Sequence, residues 1–187
     1  NGGSPVRKKN WLDNFTTDKE EKDAVIRVMD SKYLSLFEGS HTPDPPFSFY
    51  GGPEVQALEK EWSNYYGISH SISMNSATSC IYASIGALNI GYGDEVIVSP
   101  YTMTACALAP LIYGAIPVFA DVERDSGSLD PNSIRKKISK KTKAIMAVHL
   151  YGQICKMPKL TSLARNYNLL IIEDAAQAHG AILDQKM

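Results

Sequence analysis

The chain has 187 residues, 44% of them hydrophobic and 21% charged, with a formal net charge of −1 at pH 7. That length suits one ordinary domain with a sizeable core plus an arm, and the composition excludes a disordered or fibrous chain. Near-neutral charge gives no general attraction to nucleic acid or membrane, no apolar run approaches a membrane span, and the polar, basic start "NGGSPVRKKN" is unlike a signal peptide, so the cytoplasm is expected.

Residues 1–50 read as an arm and linker. Within them "DKEEKDAVIRVMDSKYLS" places Val25, Ile26, Met29 and Leu34 at helical spacing. The stretch "SHTPDPPFSFYGG" carries three prolines and ends on a glycine pair, which predicts an extended linker. From Pro53, "PEVQALEKEWSNYYG" puts Val55, Leu58, Trp62 and Tyr65 on one face of a helix, with Pro in its first turn and Gly67 at its end.

From there to residue 187 the pattern alternates. Short apolar runs at Ser71–Met74, Glu95–Val98, Val118–Ala120, Ala144–Val148 and Leu169–Ile172 predict strands. Helical spacing lies between them at Cys80, Ile81, Ile85 and Leu88, at Met103, Ala107, Leu108 and Leu111, at Ile134 and Ile138, and at Leu160, Leu163, Ala164 and Tyr167. Gly91, Gly93 and Gly114 sit where helices should stop, and Asp130-Pro131 offers a cap with proline at the first helical position. Runs such as "IMAV" and "LLII" are apolar throughout, as in a parallel sheet covered on both faces, so the chain is α/β.

Polar residues follow the runs: Asn75, Ser99, Asp121, His149 and Asp174. Ligands of open parallel sheets bind at that edge, although any one such residue is more often polar simply because it meets water. "NSATSC" places Ser76, Ala77, Thr78 and Ser79 where a helix begins and an anion is favoured; Ser and Thr are also ordinary caps. Asp174 leaves an apolar sheet and needs a cationic partner, which is either an Arg or Lys or a protonated ring nitrogen of a cofactor. Gln177 and His179 are within reach of the same ligand, while His149 reads first as structural.

Other signals are bland. Cys80, Cys106 and Cys155 form no C-x-x-C pair, which argues for reduced, mostly buried thiols and against disulfides or zinc. The basic run "RKKISKKTK" lacks interleaved aromatics and reads as a solvated helix end, not a nucleic-acid patch. No dinucleotide, Walker, nucleophile-elbow or zinc-protease motif is present.

Six blocks in order, "GGPEVQALEKEW", "NSATSC", "GYGDEVIVSPYTMTACA", "GAIPVFADVERDSGSLDP", "TKAIMAVHLYGQ" and "IIEDAAQAHGA", strongly resemble the pyridoxal-phosphate-dependent sugar aminotransferases of the DegT/DnrJ/EryC1/StrS family. The opening "NGGSPVR" is also similar to the start of members that act on keto-cyclitols. The resemblance implies a three-layer fold type I large domain with a mostly parallel sheet, here over residues 51–187 and incomplete at its C-terminal side, without the family's small C-terminal domain. It implies a homodimer with active sites at the subunit interface, an amino-acid donor, glutamate or glutamine, and an acceptor that is a keto-sugar, nucleotide-linked, or a keto-cyclitol. Such enzymes serve amino-sugar and polysaccharide biosynthesis.

The same resemblance assigns roles. Asp174 would pair with the pyridinium nitrogen of pyridoxal phosphate and keep it protonated, so that the ring acts as an electron sink. Ala77 and Thr78 would hold the phosphate, and Gln177 would lie near the phenolic oxygen. Met103 stands where many relatives carry an aromatic residue over the ring, which a thioether can also cover. The Schiff-base lysine of the family lies well downstream of the Glu-Asp pair, and Lys186 matches no such motif, so no catalytic lysine is expected in this chain and no useful activity from it alone. Expected too are poor solubility from an open sheet edge, and, as alternatives, a sugar dehydratase of the same family or a non-catalytic truncated or binding protein.

Overall fold

The computed structural model describes residues 3–4, 7–9, 15–35 and 51–184. The expected linker at 40–50 and Lys186 lie outside the described residues. Contacts divide the chain into two compact units, 1–71 and 72–187.

In the first unit, α1 (Lys19–Ser31) opens with a capping box. The Asp18 side chain accepts the Glu20 N–H at 3.0 Å, and the Glu21 carboxylate accepts the Asp18 N–H at 2.8 Å. Two otherwise orphaned donors are thereby satisfied, which fixes where this helix begins. The helix α2 (Pro53–Tyr66) starts on its proline and stops at Gly67, whose φ of 64° is the left-handed conformation glycine adopts without strain. Neither helix buries a residue: Val25, Ile26 and Met29 on α1, and Leu58, Trp62 and Tyr65 on α2, all stay exposed.

The second unit carries the sheet. It runs α3 (Ala77–Ala87), β1 (Glu95–Val98), α4 (Ala105–Ile112), β2 (Ile116–Phe119), α5 (Pro131–Lys137), β3 (Thr142–Val148), a 3-10 turn at Leu150–Gly152, α6 (Met157–Tyr167) and β4 (Leu170–Asp174). The four strands pair in parallel in the order β2-β1-β3-β4, with Ile145 opposite Ile171 and Val148 opposite Asp174.

Side chains that alternate along each strand build two cores. Val96, Val98, Ala144, Met146, Val148 and Ile172 pack with Ile81 and Ile85 of α3 and with Cys106 and Ala109 of α4. Ile97, Ile145 and Ala147 pack on the other face with Ile134 of α5 and Leu160, Leu163 and Ala164 of α6. A sheet covered on both faces explains why its strands are apolar throughout. Burying one such Ile stabilises the fold by roughly 2–3 kcal/mol. The result is the three-layer α/β arrangement expected from the alternating pattern.

Three differences from the sequence reading have physical reasons. Ser71–Met74 forms no strand: among the described residues it has no ladder partner, and Ile72 and Met74 are exposed, so local β propensity went unanswered by pairing. Met103 precedes α4 and does not belong to it, because the helix starts only at Ala105. Strand ends also shift; β2 begins at Ile116, β3 begins at Thr142, and β4 runs on to include Asp174, which the pairing with Val148 holds in the sheet.

Candidate active site

The site begins at the end of β4. Glu173 and Asp174 are neighbours, so strand geometry sends their side chains to opposite faces of the sheet. Asp174 shares the face of Ile172, toward α3 and α4, and its Oδ2 accepts the thiol hydrogen of Cys106 on α4 at 3.3 Å. Its Oδ1 accepts the N–H of Ala176 at 3.1 Å, and its backbone carbonyl takes the N–H of His149 at 3.0 Å. Among the described residues no Arg or Lys pairs with this half-buried carboxylate.

Glu173 belongs to a different assembly. Its Oε2 lies 3.0 Å from Nε2 of His149, a residue only 5% exposed. Contact with Cys155 and then the Glu173 carboxylate raise the imidazole from 6.5 to about 9, with burial opposing them. The backbone N–H of Cys155 donates to Nδ1 at 3.3 Å, and a proton on that nitrogen would set two donors against each other. The raised pKa favours a second proton and the Nδ1 contact opposes it; the hydrogen-bond geometry favours Nε2–H donated to Glu173 with Nδ1 as acceptor, which ties β3 to β4 and to the chain leading into α6. His149 is a structural histidine on the face opposite Asp174.

The N-terminus of α3 lies in the same layer that Asp174 faces. Ser76 caps it, its Oγ accepting the N–H of Ser79 at 3.2 Å, and Asn75 Oδ1 accepts the hydroxyl of Ser79 at 2.7 Å. Ala77 and Thr78, the first two helical residues, keep backbone N–H groups without a partner among the described residues. These donors and the positive end of the helix dipole suit an anion. The packing of α3 on β4 keeps that helix end and the end of β4 on one face of the unit.

Two further residues occupy loops at the same edge. Met103 is 65% exposed in the turn between β1 and α4, where its carbonyl accepts the N–H of Cys106. Gln177 lies in the turn after β4, and its Oε1 accepts the N–H of Tyr151 at 2.7 Å, leaving its amide nitrogen as the group to offer a ligand. Tyr151 holds a left-handed φ of 54°, uncommon for a non-glycine residue. Ser99 and Asp121 are used in their own turns: Ser99 Oγ accepts the Tyr101 N–H, and Asp121 Oδ1 accepts the Val122 N–H.

Cys106 and Tyr151 are the residues that the sequence did not single out. The helical spacing read from the sequence ran through Ala107, Leu108 and Leu111, whereas α4 buries Ala105, Cys106, Ala109 and Pro110 and leaves Leu108 and Leu111 exposed, so Cys106 carried no signal toward Asp174. The expectation of mostly buried, free thiols holds for Cys106 and Cys155, while Cys80 is exposed.

Residues 47–187 match the DegT/DnrJ/EryC1/StrS aminotransferase family. The chain belongs to this family. It is 38% identical over 173 residues to dTDP-3-amino-3,6-dideoxy-alpha-D-galactopyranose transaminase of Aneurinibacillus thermoaerophilus, a match spanning 92% of this chain and 44% of that protein. It is 33% identical over 182 residues to L-glutamine:2-deoxy-scyllo-inosose aminotransferase of Streptomyces kanamyceticus, covering 96% of this chain and 40% of that protein. Among solved structures, NtdA of Bacillus subtilis with bound cofactor PMP aligns with a TM-score of 0.74 at 28% identity, over 90% of this chain and 36% of that one. The chain thus spans less than half the length of these relatives, and its α/β architecture is the corresponding part of the fold type I aminotransferases.

Proposed function

We propose that this chain forms the cofactor cradle of a pyridoxal-phosphate-dependent aminotransferase, which moves an amino group from glutamate or glutamine to a keto-sugar or keto-cyclitol. The observation that carries the reading is Asp174: a half-buried carboxylate at the carboxyl end of a parallel sheet, turned to the layer whose helix N-terminus offers free N–H groups, and without a cation among the described residues. Family membership and relatives that act on a dTDP-sugar and on a cyclitol support the substrate class.

The residues present suit the cofactor. Ala77 and Thr78 supply backbone donors for a phosphate at the start of α3, and Asp174 supplies the negative charge for a protonated ring nitrogen. Gln177, with its Oε1 committed to Tyr151, would have its amide nitrogen left to donate to a phenolic oxygen. The exposed thioether of Met103 is free to cover a ring face. When bound, pyridoxal phosphate supplies an electron sink for the carbanion of transamination. Asp174 would hold a proton on the ring nitrogen, and the N-terminus of α3 would fix the other end of the molecule, so that its orientation is set by two charges. This chain would carry no anchoring lysine and give no useful transamination alone, and the intact enzyme would assemble as a cytoplasmic homodimer.

The test is a spectrum of the purified chain with pyridoxal phosphate, before and after borohydride, beside the Asp174→Ala variant. Cofactor that is retained, not fixed by borohydride and released by the substitution is the expected result. Retention that is indifferent to Asp174 would refute the assignment.

A further inference from the structure

Cys106 is fully buried on α4 and 68 residues distant in sequence from the carboxylate it touches. Packing alone asks nothing of its sulfur beyond volume. The sulfur nevertheless sits 3.3 Å from Asp174 Oδ2 and 3.6 Å from Thr102 Oγ1. A carboxylate only accepts, so the thiol hydrogen points to Asp174, and the hydroxyl of Thr102 must then be the donor to Sγ. The direction of the chain is fixed: Thr102 to Cys106 to Asp174.

We propose that Cys106 is a positioning residue for Asp174, its S–H holding the carboxylate in the orientation that presents its charge to a cationic ligand at the carboxyl edge of the sheet. The proposal rests on the cofactor reading above for the identity of that ligand. With Oδ1 taken by the Ala176 N–H and Oδ2 by Cys106, both oxygens are held and rotation of the group is blocked, while half of its roughly four lone-pair positions stay open. The choice of donor matters. A thiol is weak, so it orients the carboxylate while drawing off little charge, whereas an Arg or Lys at this place would neutralise the group before a ligand arrived. Burial, with a further contribution from the Asp174 carboxylate, pushes the thiol up to about 11, so the hydrogen that does the orienting stays on sulfur at neutral pH.

A double-mutant cycle on the purified chain tests this, with pyridoxal phosphate as the probe and Cys106→Ala, Asp174→Asn and their combination as variants, each checked for folding by near-UV circular dichroism. Cys106→Ala should weaken retention roughly tenfold and should add nothing in the Asp174→Asn background, as expected for a hydrogen bond acting through a charged group. An equal loss in both backgrounds, or none, means the side chain acts by packing or not at all, and overturns the proposal. The ionisation of Cys106, followed through carbon-13-labelled cysteine, needs no cofactor: its midpoint should fall in Asp174→Asn. If the wild-type chain retains no pyridoxal phosphate, or retains it independently of Asp174, the cofactor reading fails. A lowered thiol midpoint then supports only the Cys106–Asp174 contact, an unchanged one removes even that, and in either case the positioning of Asp174 for this ligand falls with the cofactor reading.

Discussion

Glu173 and Asp174 are adjacent in the chain, yet their carboxylates serve opposite faces of one sheet: Glu173 meets His149 on the α6 side, and Asp174 meets Cys106 on the α4 side. One carboxylate is committed to holding strands together. The other is held by donors that leave its charge available.

That division predicts unequal effects. Asp174→Ala should remove retention of pyridoxal phosphate by at least tenfold, because a buried or half-buried charge contact is worth more than about 1.4 kcal/mol. Glu173→Gln keeps a hydrogen-bond acceptor for His149 and should leave retention within about twofold. Equilibrium titration followed by absorbance reads both.

His149→Ala should destabilise the fold by about 1–3 kcal/mol, since it orphans the Cys155 N–H beneath α6 and empties a buried site. Cofactor affinity, measured under conditions where the variant is folded, should barely change, because the imidazole lies on the face away from Asp174. Urea unfolding and a cofactor titration separate the two effects.

Alkaline pH should act through Cys106. Burial first, and the Asp174 carboxylate after it, raise the thiol from 9.0 to about 11, with the Thr102 hydroxyl opposing. A folded-state pKa above the unfolded one favours the protonated fold, so this contribution is fully present below pH 9.0 and is lost as pH rises toward 11. Its size is at most about 3 kcal/mol. Between pH 8 and pH 10.5, the urea midpoint of the native chain should fall more than that of Cys106→Ala; equal falls would contradict this account.

Ser76→Ala removes the cap of α3 and should cost about 1 kcal/mol of stability. If the first turn of this helix holds a phosphate, the same substitution should weaken pyridoxal phosphate more than pyridoxal, because only the former uses the helix end. Comparing the two ligands by fluorescence quenching checks it.

Much of this molecule was legible in its sequence because it depends on neighbours a few residues apart. The start of α2 at Pro53, the Asp130 cap on α5, the left-handed glycines at 67, 93 and 114 and the apolar strands all follow from local sterics and burial periodicity. Asp174 also stood out as a charge at the end of an apolar run. What the sequence could not decide was pairing across distance. Ser71–Met74 had the composition of a strand and found no ladder among the described residues. Cys106 read only as a reduced, buried thiol until parallel pairing placed Asp174 opposite Val148, and the packing of α4 then brought sulfur and carboxylate together. Whether Glu173 or Asp174 faces α4 likewise follows from strand register, since a shift of one residue would exchange them. Local chemistry determined which groups this chain has at its sheet edge; only the tertiary structure decided which of them meet, because hydrogen bonds between residues dozens apart exist only once the sheet and its two helical layers are assembled.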